Sequence, residues 1–429
     1  MLEKTVSLLW GIPTLIIMLS AGLFITIKIK ASQFKAKTIF NNTVKSLFKK
    51  DNAENGINQF QAVSVALAAT MGTGNIIGVA SAIAIGGAGS IFWMWISAIM
   101  GMALVYAENV LSIKFRRKEH GETIGGAFAY LKYGVKNKIL AIFFAVCCVL
   151  TSFGMGCMAQ SNSAALSLKS LGISTNISGI VIALCVGIII LGGVKRVGHF
   201  ASLLVPFLSL AYIVVSLVII LTYKEKIPAV FAAIFKGAFG FNEVTGGFSG
   251  YILAQSINVG LRRGVFSNEA GLGTSALMHK DVNSENAELQ GQWGIVEIFI
   301  DTILCCTLTA LVLLCTGVSG TDTSNLVIDA FSTVLGDYAK VFISVSITLF
   351  AFATLISWGY CGAGAANFLG GKKASSFYKI LFAVSIFIGA VGNAAKVWLL
   401  SDIFNILMLF PNLFGIIYLS KHLKAIRKN

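Results

Sequence analysis

A long apolar run that is interrupted at its centre constrains this chain most. The run covers about residues 60–85, which is long enough to cross a bilayer as a helix. Near its middle, Gly72 and Gly74 flank Thr73, and Asn75 follows at once. Glycine is a poor helix former, and threonine and asparagine compete for backbone hydrogen bonds. At about 1.5 Å per residue, Gly74 lies roughly 20 Å along the helix, near the centre of a bilayer.

Unwound backbone at that depth persists only where protein or a water-filled cavity satisfies its polar groups. Secondary transporters use such discontinuous helices to bind small molecules and ions. Residues 72–75 are therefore a candidate binding site. The alternative is a glycine-rich face that packs against a neighbouring helix.

The composition places the whole chain in a membrane. Of its 429 residues, 56% are hydrophobic and only 12% are charged, and the mean hydropathy is +0.83. This composition predicts an all-α polytopic membrane protein that is surrounded by lipid. The net charge of +15 does not indicate nucleic acid as a partner, because the basic residues do not gather on one soluble domain.

Enzyme and cofactor motifs are not apparent. The eight cysteines lie inside apolar segments without CxxC spacing, and the four histidines are scattered near segment ends. No P-loop, HExxH or GxSxG motif occurs, and no Ser–His–Asp set can be assembled at the polar positions. We therefore expect neither an enzyme nor a bound cofactor.

Eleven apolar segments are predicted to cross the membrane, and the second and seventh of them are interrupted. They cover about residues 6–27, 60–85, 89–113, 138–167, 176–194, 198–222, 247–278, 290–317, 338–366, 377–396 and 398–420. Lysine and arginine concentrate in residues 28–50 and 114–138 and in the C-terminal tail. Because cytoplasmic loops are enriched in these residues, the sequence predicts an N-terminus outside and a C-terminus inside the cell.

The order of segments repeats. From residue 60 it runs interrupted helix, long helix, short amphipathic segment (123–134) and further helices, and from residue 247 the order recurs with residues 323–336 as the short segment. Five membrane helices in each half make the repeat inverted, which places a site at its interface. The predicted units are residues 1–56, with the extra first helix and a basic loop, then repeats at residues 57–226 and 227–429. The alternative is a chance rhythm of a polytopic chain.

The second interrupted segment carries unusual polarity at membrane depth. Its polar and glycine positions are Gln255, Asn258, Gly260, Arg262, Arg263, Asn268 and Glu269. Buried charges normally face a bundle interior. We expect the break between Asn258 and Gly264, with the charged residues paired to one another or to the acidic residues Glu108, Glu297 and Asp301. A buried structural network is the alternative to direct contact with a ligand.

Further polar side chains occur in other apolar segments. Gln160 lies late in the fourth segment, and Thr354 and Ser357 lie in the ninth. Hydroxyl and carbonyl oxygens without a carboxylate suit a monovalent cation better than zinc. The alternatives are that the two hydroxyls bond their own helix, and that Trp358 packs or lies at the membrane interface instead of lining a site.

Four stretches resemble the alanine/glycine:cation symporter family. They are ALAATMGTGNIIGVASAIAIGG (66–87), RRGVFSNEAGLGTSA (262–276), FWMWISAIMGMALVYAENVLSIKFR (92–116) and GQWGIVEIFIDTILCCTLTAL (291–311). The resemblance implies a LeuT-type five-plus-five inverted repeat in the cell membrane and sodium-driven uptake of alanine and glycine. It also implies a cation site formed by carbonyls near Ala69 and Gly72 with the hydroxyls of Thr354 and Ser357.

An amino acid brings one carboxylate and one ammonium group to this site. Exposed N–H groups at the half-helix after Asn75 would receive the carboxylate. Carbonyls before Asn258, with Gln160, would accept from the ammonium. Met71, Phe266 and Trp358 would enclose a methyl-sized space. The predicted substrate residues are Gly72, Thr73, Gly74, Asn75, Gln160, Asn258, Gly260, Phe266 and Trp358, and the predicted sodium ligands are Ala69, Gly72, Thr354 and Ser357.

Two other transport mechanisms remain open at this point. A proton-coupled or exchange carrier of the same fold would need a titratable group at the break, and the nearest are Glu108 and Glu269. A channel would need symmetric pore-lining rings, which a single-chain inverted repeat does not suggest. The sequence leaves the amino-acid range, the stoichiometry and the oligomeric state open.

Overall fold

Helix dominates the computed structural model, which describes residues 9–47, 56–119, 122–240, 247–320, 323–392 and 394–426. The protein is 85% helical. Within the described residues, the extended structure is one antiparallel hairpin of Arg117–Glu119 with Glu122–Ile124 and an isolated bridge. The predicted all-α class is therefore confirmed.

The helices of the first half of the chain are Ile12–Lys28, Ala36–Leu47, Gln59–Thr70, Ile77–Gly86, Gly89–Lys114, Ala127–Ala129, Lys138–Phe153, Ala159–Ser170, Thr175–Leu191 and Gly193–Thr222. Those of the second half are Ile227–Phe239, Gly247–Asn268, Thr274–Met278, Ala287–Ile298, Thr307–Thr316, Thr323–Leu335, Tyr338–Val391 and Ala394–Tyr418. Wider π turns occur at Tyr130–Gly134, Gly154–Met158 and Phe299–Cys306, and short 3-10 turns at Ser32–Phe34, Thr73–Asn75, Lys224–Lys226 and Ser420–His422.

Several helices are long and apolar enough to cross a bilayer. Among the described residues, five single helices meet this criterion, and the bent pair Gln59–Thr70 with Thr73–Gly86 adds a sixth span. Shorter apolar helices accompany them, and the protein is a multi-pass membrane protein. The longest helix, Tyr338–Val391, bends at Gly370 and Gly371. It thus covers two of the predicted segments.

The first predicted break is confirmed. The helix Gln59–Thr70 begins at a capping box, in which the Asn58 side chain accepts from the Gln61 N–H. It ends before Gly72, whose backbone is extended with φ −121° and ψ −153°. A second helix, Ile77–Gly86, follows, and the two parts are bent by 56°. We refer to residues 71–76 as the first break.

The second break is real, but its predicted position is wrong. The helix Gly247–Asn268 runs without interruption through the interval from Asn258 to Gly264. The chain leaves the helix only at residues 269–273, where Glu269, Gly271 and Gly273 have φ of +54°, +84° and +78°. We refer to residues 269–273 as the second break. Two glycines there supply the left-handed backbone that other residues adopt at a cost.

Two amphipathic helices were not predicted. Ala36–Leu47 lies in the stretch that the sequence suggested to be a basic loop, and Ile227–Phe239 lies between two predicted segments. The second begins with a proline in its first turn and ends at Gly240, which has φ +69°. A proline in the first turn and a glycine after the last turn are typical of helices. The two helices were missed because each is too short or too polar to be recognised as a membrane span.

Gly260 explains why the helix Gly247–Asn268 packs so closely. A Cβ at Gly260 would lie 2.3 Å from the Ser90 carbonyl oxygen, whereas one at Gly187 would meet only Ala383, at 3.6 Å. We expect Gly260→Ala to lower the melting temperature of detergent-solubilised protein, at a cost of about 2 kcal/mol from overpacking. Gly187→Ala is the control and should melt like the parent. Equal melting of both variants would contradict this packing.

Candidate functional site

Polar side chains hold the first break open. The Asn75 carbonyl Oδ1 accepts from the Gly72 N–H at 3.1 Å. The Thr73 N–H and hydroxyl both donate to Gln160 Oε1, at 3.4 and 3.1 Å. All four residues are buried. The helical backbone bonds that are missing here are thus replaced by side chains, as buried backbone requires.

Gln160 reaches the first break from a distorted helix. It follows the π turn Gly154–Met158, and its Nε2 donates to the Met155 carbonyl at 3.3 Å. Such turns interrupt α-helices often at functional sites. The predicted association of Gln160 with the first break therefore holds in the structure.

The Thr354 hydroxyl approaches Gly72 from the same side as Gln160. It donates to the Ala68 carbonyl at 2.9 Å and to the Phe350 carbonyl at 3.1 Å. A Cβ on Gly72 would lie 2.7 Å from that hydroxyl oxygen, so Gly72 leaves the room that Thr354 occupies. Ala69, the residue that follows Ala68, is also buried. The bond to Phe350 is the back-bonding that the sequence left as an alternative.

One turn further along the same helix, the Ser357 hydroxyl is fully buried and has no hydrogen-bond partner among the described residues. A buried hydroxyl without a partner costs free energy unless a ligand or water satisfies it. Ser357 thus places an unpaired oxygen one helical turn from the Thr354 hydroxyl.

Trp358 connects the second break with the π turn. Its indole N–H donates to Glu269 Oε1 at 2.9 Å, and both side chains are buried. The ring also packs on Gly156, where a Cβ would meet it at 2.4 Å. Trp358 therefore lies in the bundle interior and not at the membrane interface.

The first break lies against the last turn of the helix that precedes the second break. A Cβ built on Gly74 would meet the Phe266 ring at 3.5 Å and the backbone of Ser267 at 3.6 Å. The last turn of Gly247–Asn268 therefore touches the first break directly. Gly74, Phe266 and their neighbours form one continuous site, although the predicted break in the second helix was misplaced.

Asp301 is the site residue that the sequence reading missed. Its Oδ1 accepts from Asn75 Nδ2 at 2.7 Å, and its Oδ2 accepts from the hydroxyls of Ser267 and Thr302 at 2.9 and 2.7 Å. Its side chain is fully buried within the π turn Phe299–Cys306. In the sequence, Asp301 could be recognised only as a carboxylate inside an apolar segment. The fold shows that Asn75 is its partner.

The charged residues pair differently from the prediction. Arg262 forms an ion pair with Asp402 of the last long helix, and Arg263 donates to the Ser81 hydroxyl at 3.0 Å. Neither arginine contacts the acidic residues that the sequence proposed. Glu108 instead accepts from the Gly273 N–H at 3.1 Å, at the start of the half-helix Thr274–Met278. These contacts support the structural-network interpretation of the two arginines.

Asn258 and Gly260 lie away from both breaks. The Asn258 amide donates to the Trp10 carbonyl at 3.4 Å, and Gly260 packs on the helix Gly89–Lys114. Their assignment to the substrate depended on a break between residues 258 and 264. Because that interval is helical, its carbonyls are not freed for a ligand.

A backbone clamp joins the two broken helices at the end of the molecule that is rich in lysine. The Ile57 N–H donates to the Asp281 carbonyl at 3.1 Å, and the Asn283 N–H donates to the Ile57 carbonyl at 3.2 Å. Beneath it, the buried His279 ring bonds Gln290 at 2.7 Å and Glu297 at 2.6 Å. The clamp thus connects the start of the first broken helix to the segment that follows the second.

A cavity of about 300 Å³ opens beside the clamp and is lined by Lys280, Asp281 and Tyr360. The Lys280 ammonium bonds the Asp281 carboxylate at 2.7 Å, and the Tyr360 hydroxyl bonds the same oxygen. Burial raises the pKa of Asp281, but the adjacent ammonium and the hydrogen-bond donors lower it below its ordinary value. Asp281 is therefore ionised at neutral pH.

Comparison with known proteins gives matches over nearly the whole chain. The family model described as the sodium:alanine symporter family matches residues 1–429. The sodium/alanine symporter AgcS of Methanococcus maripaludis is 36% identical over 99% of this chain and 96% of its own. The probable sodium/glutamine symporter GlnT of Bacillus subtilis is 35% identical over 96% and 87%.

A sodium/proton-dependent alanine carrier protein of Bacillus sp. is 30% identical over 86% of this chain and 87% of its own. These relatives are named as symporters and carriers and not as enzymes. The two helix breaks, the polar contacts that hold them and the match over the full length lead to one conclusion: the chain is a transporter that belongs to the sodium:alanine symporter family.

Proposed function

We propose that this protein takes up small neutral amino acids, alanine and glycine, by sodium-coupled symport with alternating access. The observation that carries the proposal is the packing of the first break, at Gly74, against Phe266 and Ser267 in the last helical turn before the second break. Two discontinuous helices that meet in a bundle interior offer free peptide groups of both polarities. A zwitterion needs both.

The polarity of the half-helices orients the substrate. The helix Ile77–Gly86 starts at the first break, so its N–H groups and positive dipole end would receive the carboxylate. A Cβ at Gly78 would meet nothing within 4 Å, which leaves room there. The helix Gly247–Asn268 ends at the second break, and its terminal carbonyls, with Gln160, would accept from the ammonium. The accepting carbonyls thus move from the predicted residues before Asn258 to the last turn of that helix.

The ion site that we propose contains the Ala69 and Gly72 carbonyls and the Thr354 and Ser357 hydroxyls. The unpartnered Ser357 hydroxyl supports it. A second set of oxygens, from Asp301 and its hydroxyl partner Ser267, lies next to Asn75 of the first break. A sodium ion near a carboxylate offsets a charge that is otherwise costly to bury.

Substrate size would be limited by the side chains around the breaks. Met71 is buried, with its sulfur 3.4 Å from the Ser209 hydroxyl, and Trp358 is fixed by Glu269. Phe266 is also buried, and its ring lies against Gly74. We therefore propose that the site accepts hydrogen or methyl side chains and excludes large ones.

The architecture that we propose for this cycle has eleven membrane helices in a LeuT-type arrangement. Residues 57–226 and 227–429 form the inverted repeats, and residues 1–56 add a helix outside them. The location of lysine and arginine supports an N-terminus outside and a C-terminus inside the cell membrane, which for a bacterium is the inner membrane. The clamp of Ile57 with residues 281–283 would then close the cytoplasmic side.

A second candidate is proton coupling on the same fold. The sequence offered no titratable group within the first break, but the structure brings the Asp301 carboxylate to Asn75. A relative is named as a sodium/proton-dependent alanine carrier. Proton coupling is therefore the alternative that the experiments below separate.

Uptake of radiolabelled alanine into proteoliposomes tests the function. We expect accumulation only with an inward sodium gradient, and little effect of a pH step without sodium. Accumulation that tracks the pH step and ignores sodium would establish the proton alternative.

Leucine should be taken up at least tenfold less efficiently than alanine, because the side chains around the breaks are buried. Equal uptake of the two amino acids would refute the size limit.

Thr354→Val tests the proposed sodium ligand, because it removes the hydroxyl and keeps the shape. We expect the sodium concentration for half-maximal alanine uptake to rise at least tenfold, which corresponds to the loss of about 1.4 kcal/mol. Thr348→Val is the control, because the Thr348 hydroxyl bonds only the Ser344 carbonyl of the same helix, at 2.7 Å. A parallel response of both variants would show that Thr354 acts only through its own helix.

Asp301→Asn separates the two coupling ions. Under sodium coupling through Asp301, the variant loses a charge-assisted contact, and half-maximal uptake needs at least tenfold more sodium. Under proton coupling, the variant still exchanges alanine across the membrane but no longer responds to a pH gradient. Asp329→Asn, the same conversion at an exposed carboxylate outside the breaks, serves as the control for the loss of one charge. Unchanged dependence on both ions would remove Asp301 from the mechanism.

A further inference from the structure

Six lysines gather at one end of the molecule. They are Lys28, Lys30, Lys35, Lys37, Lys45 and Lys424, which we call the lysine patch. They line two adjoining depressions of about 650 and 630 Å³ that share Lys35. No acidic side chain lines either depression among the described residues. The lysine patch therefore attracts anions strongly.

The surface that carries the lysine patch is rigidly built. Lys30 and Ala31 both adopt left-handed backbone, with φ of +55° and +49°, and turn the chain sharply after the first helix. The Ile426 N–H donates to the Ser32 hydroxyl at 2.9 Å, and the Lys35 ammonium donates to the Ile426 carbonyl at 2.6 Å. The C-terminal segment is thus fastened under the turn, and the depressions have a fixed shape.

Apolar neighbours place the lysine patch at the level of lipid headgroups. The first helix, Ile12–Lys28, ends in the patch and exposes Phe24 and Ile27 just before it. Beyond the turn, Phe34 and Phe40 are 61% and 65% exposed. A helix with exposed aromatic residues and lysines on its flanks lies in the membrane interface, with the rings toward the acyl chains.

We propose that the lysine patch binds the phosphodiester headgroup of an anionic phospholipid in the adjacent leaflet. Exposed ammonium groups bind phosphate as point charges. The exposed rings contact the acyl chains of the same lipid, which a free phosphate ion does not offer. This site is independent of the solute that the protein transports.

The helix Ala36–Leu47, which carries two lysines of the patch, is hydrogen-bonded to the helix that precedes Asp301. The Asn42 amide donates to Gln292 Oε1 at 2.9 Å, and the Trp293 indole donates to the Ser46 hydroxyl at 3.0 Å. Both partners lie on Ala287–Ile298, the helix that leads into the π turn of Asp301. Occupation of the lysine patch therefore stabilises one position of that helix, a consequence that depends on the proposed function.

The variant Lys28→Gln/Lys30→Gln/Lys37→Gln tests the binding. These lysines are exposed, and each contributes to attraction by an anionic surface. We expect the affinity of purified protein in detergent for fluorescent phosphatidylglycerol to fall between about 10- and 100-fold. The control, Lys224→Gln/Lys226→Gln/Lys236→Gln, removes the same charge from exposed lysines elsewhere and should bind like the parent. Equal affinity of the two variants would overturn the proposal.

Two further measurements identify the ligand, and a second variant replaces the first if that one is destabilised. Fluorescent phosphatidylcholine should bind the parent and both variants alike, and inorganic phosphate at equal concentration should not displace phosphatidylglycerol. Displacement by phosphate would show an anion site that does not need lipid, and would overturn the assignment. Should the triple variant melt earlier than the parent, Lys37→Gln/Lys45→Gln replaces it, with an expected loss of about tenfold.

Alanine uptake then tests the connection to transport. In proteoliposomes, addition of phosphatidylglycerol to phosphatidylcholine should change the uptake rate of the parent and of the control variant, but not that of the patch variant. A patch variant that binds lipid weakly and still responds would remove the connection and keep the binding site. Because lipid binding is measured without transport, a failure of the proposed function leaves this result readable.

Discussion

The amide of Asn75 is the group on which the site depends. One end of it accepts from the Gly72 N–H and replaces a lost helical bond, and the other end donates to the Asp301 carboxylate. The same side chain therefore keeps the first helix open and ties it to a second element. Without that double contact, the Gly72 N–H would lose one of its two acceptors, and the buried Asp301 carboxylate would lose its amide donor.

The sequence predicted the first break and its partners because the information there is local. Gly72, Thr73, Gly74 and Asn75 are all poor helix formers inside an apolar run, which favoured a break over a glycine-rich packing face. Gln160 was recognised as a polar residue in an apolar segment, and the structure brings it to Thr73. The fold class followed from composition for the same reason, since it requires no knowledge of which helices touch.

The second break was misplaced because charge was taken as the sign of irregular backbone. Arg262 and Arg263 remain helical, since Asp402, from a helix far along the chain, and the Ser81 hydroxyl supply their partners. The real break uses left-handed glycines, Gly271 and Gly273, whose conformation no pattern of hydrophobicity reveals. The role of Asp301 in the site was not predicted for a related reason. Its π turn and its partner Asn75 from another helix are properties of the assembled bundle.

The fastening of Ala36–Leu47 to Ala287–Ile298 has a mechanical consequence. A helix that lies in the headgroup layer moves through a viscous medium, and here its two hydrogen bonds join it to an element of the core. If Ala287–Ile298 rocks, it must move Ala36–Leu47 across the bilayer surface or break both hydrogen bonds. The fluidity and headgroup friction of the surrounding membrane therefore enter the rate of the conformational change itself.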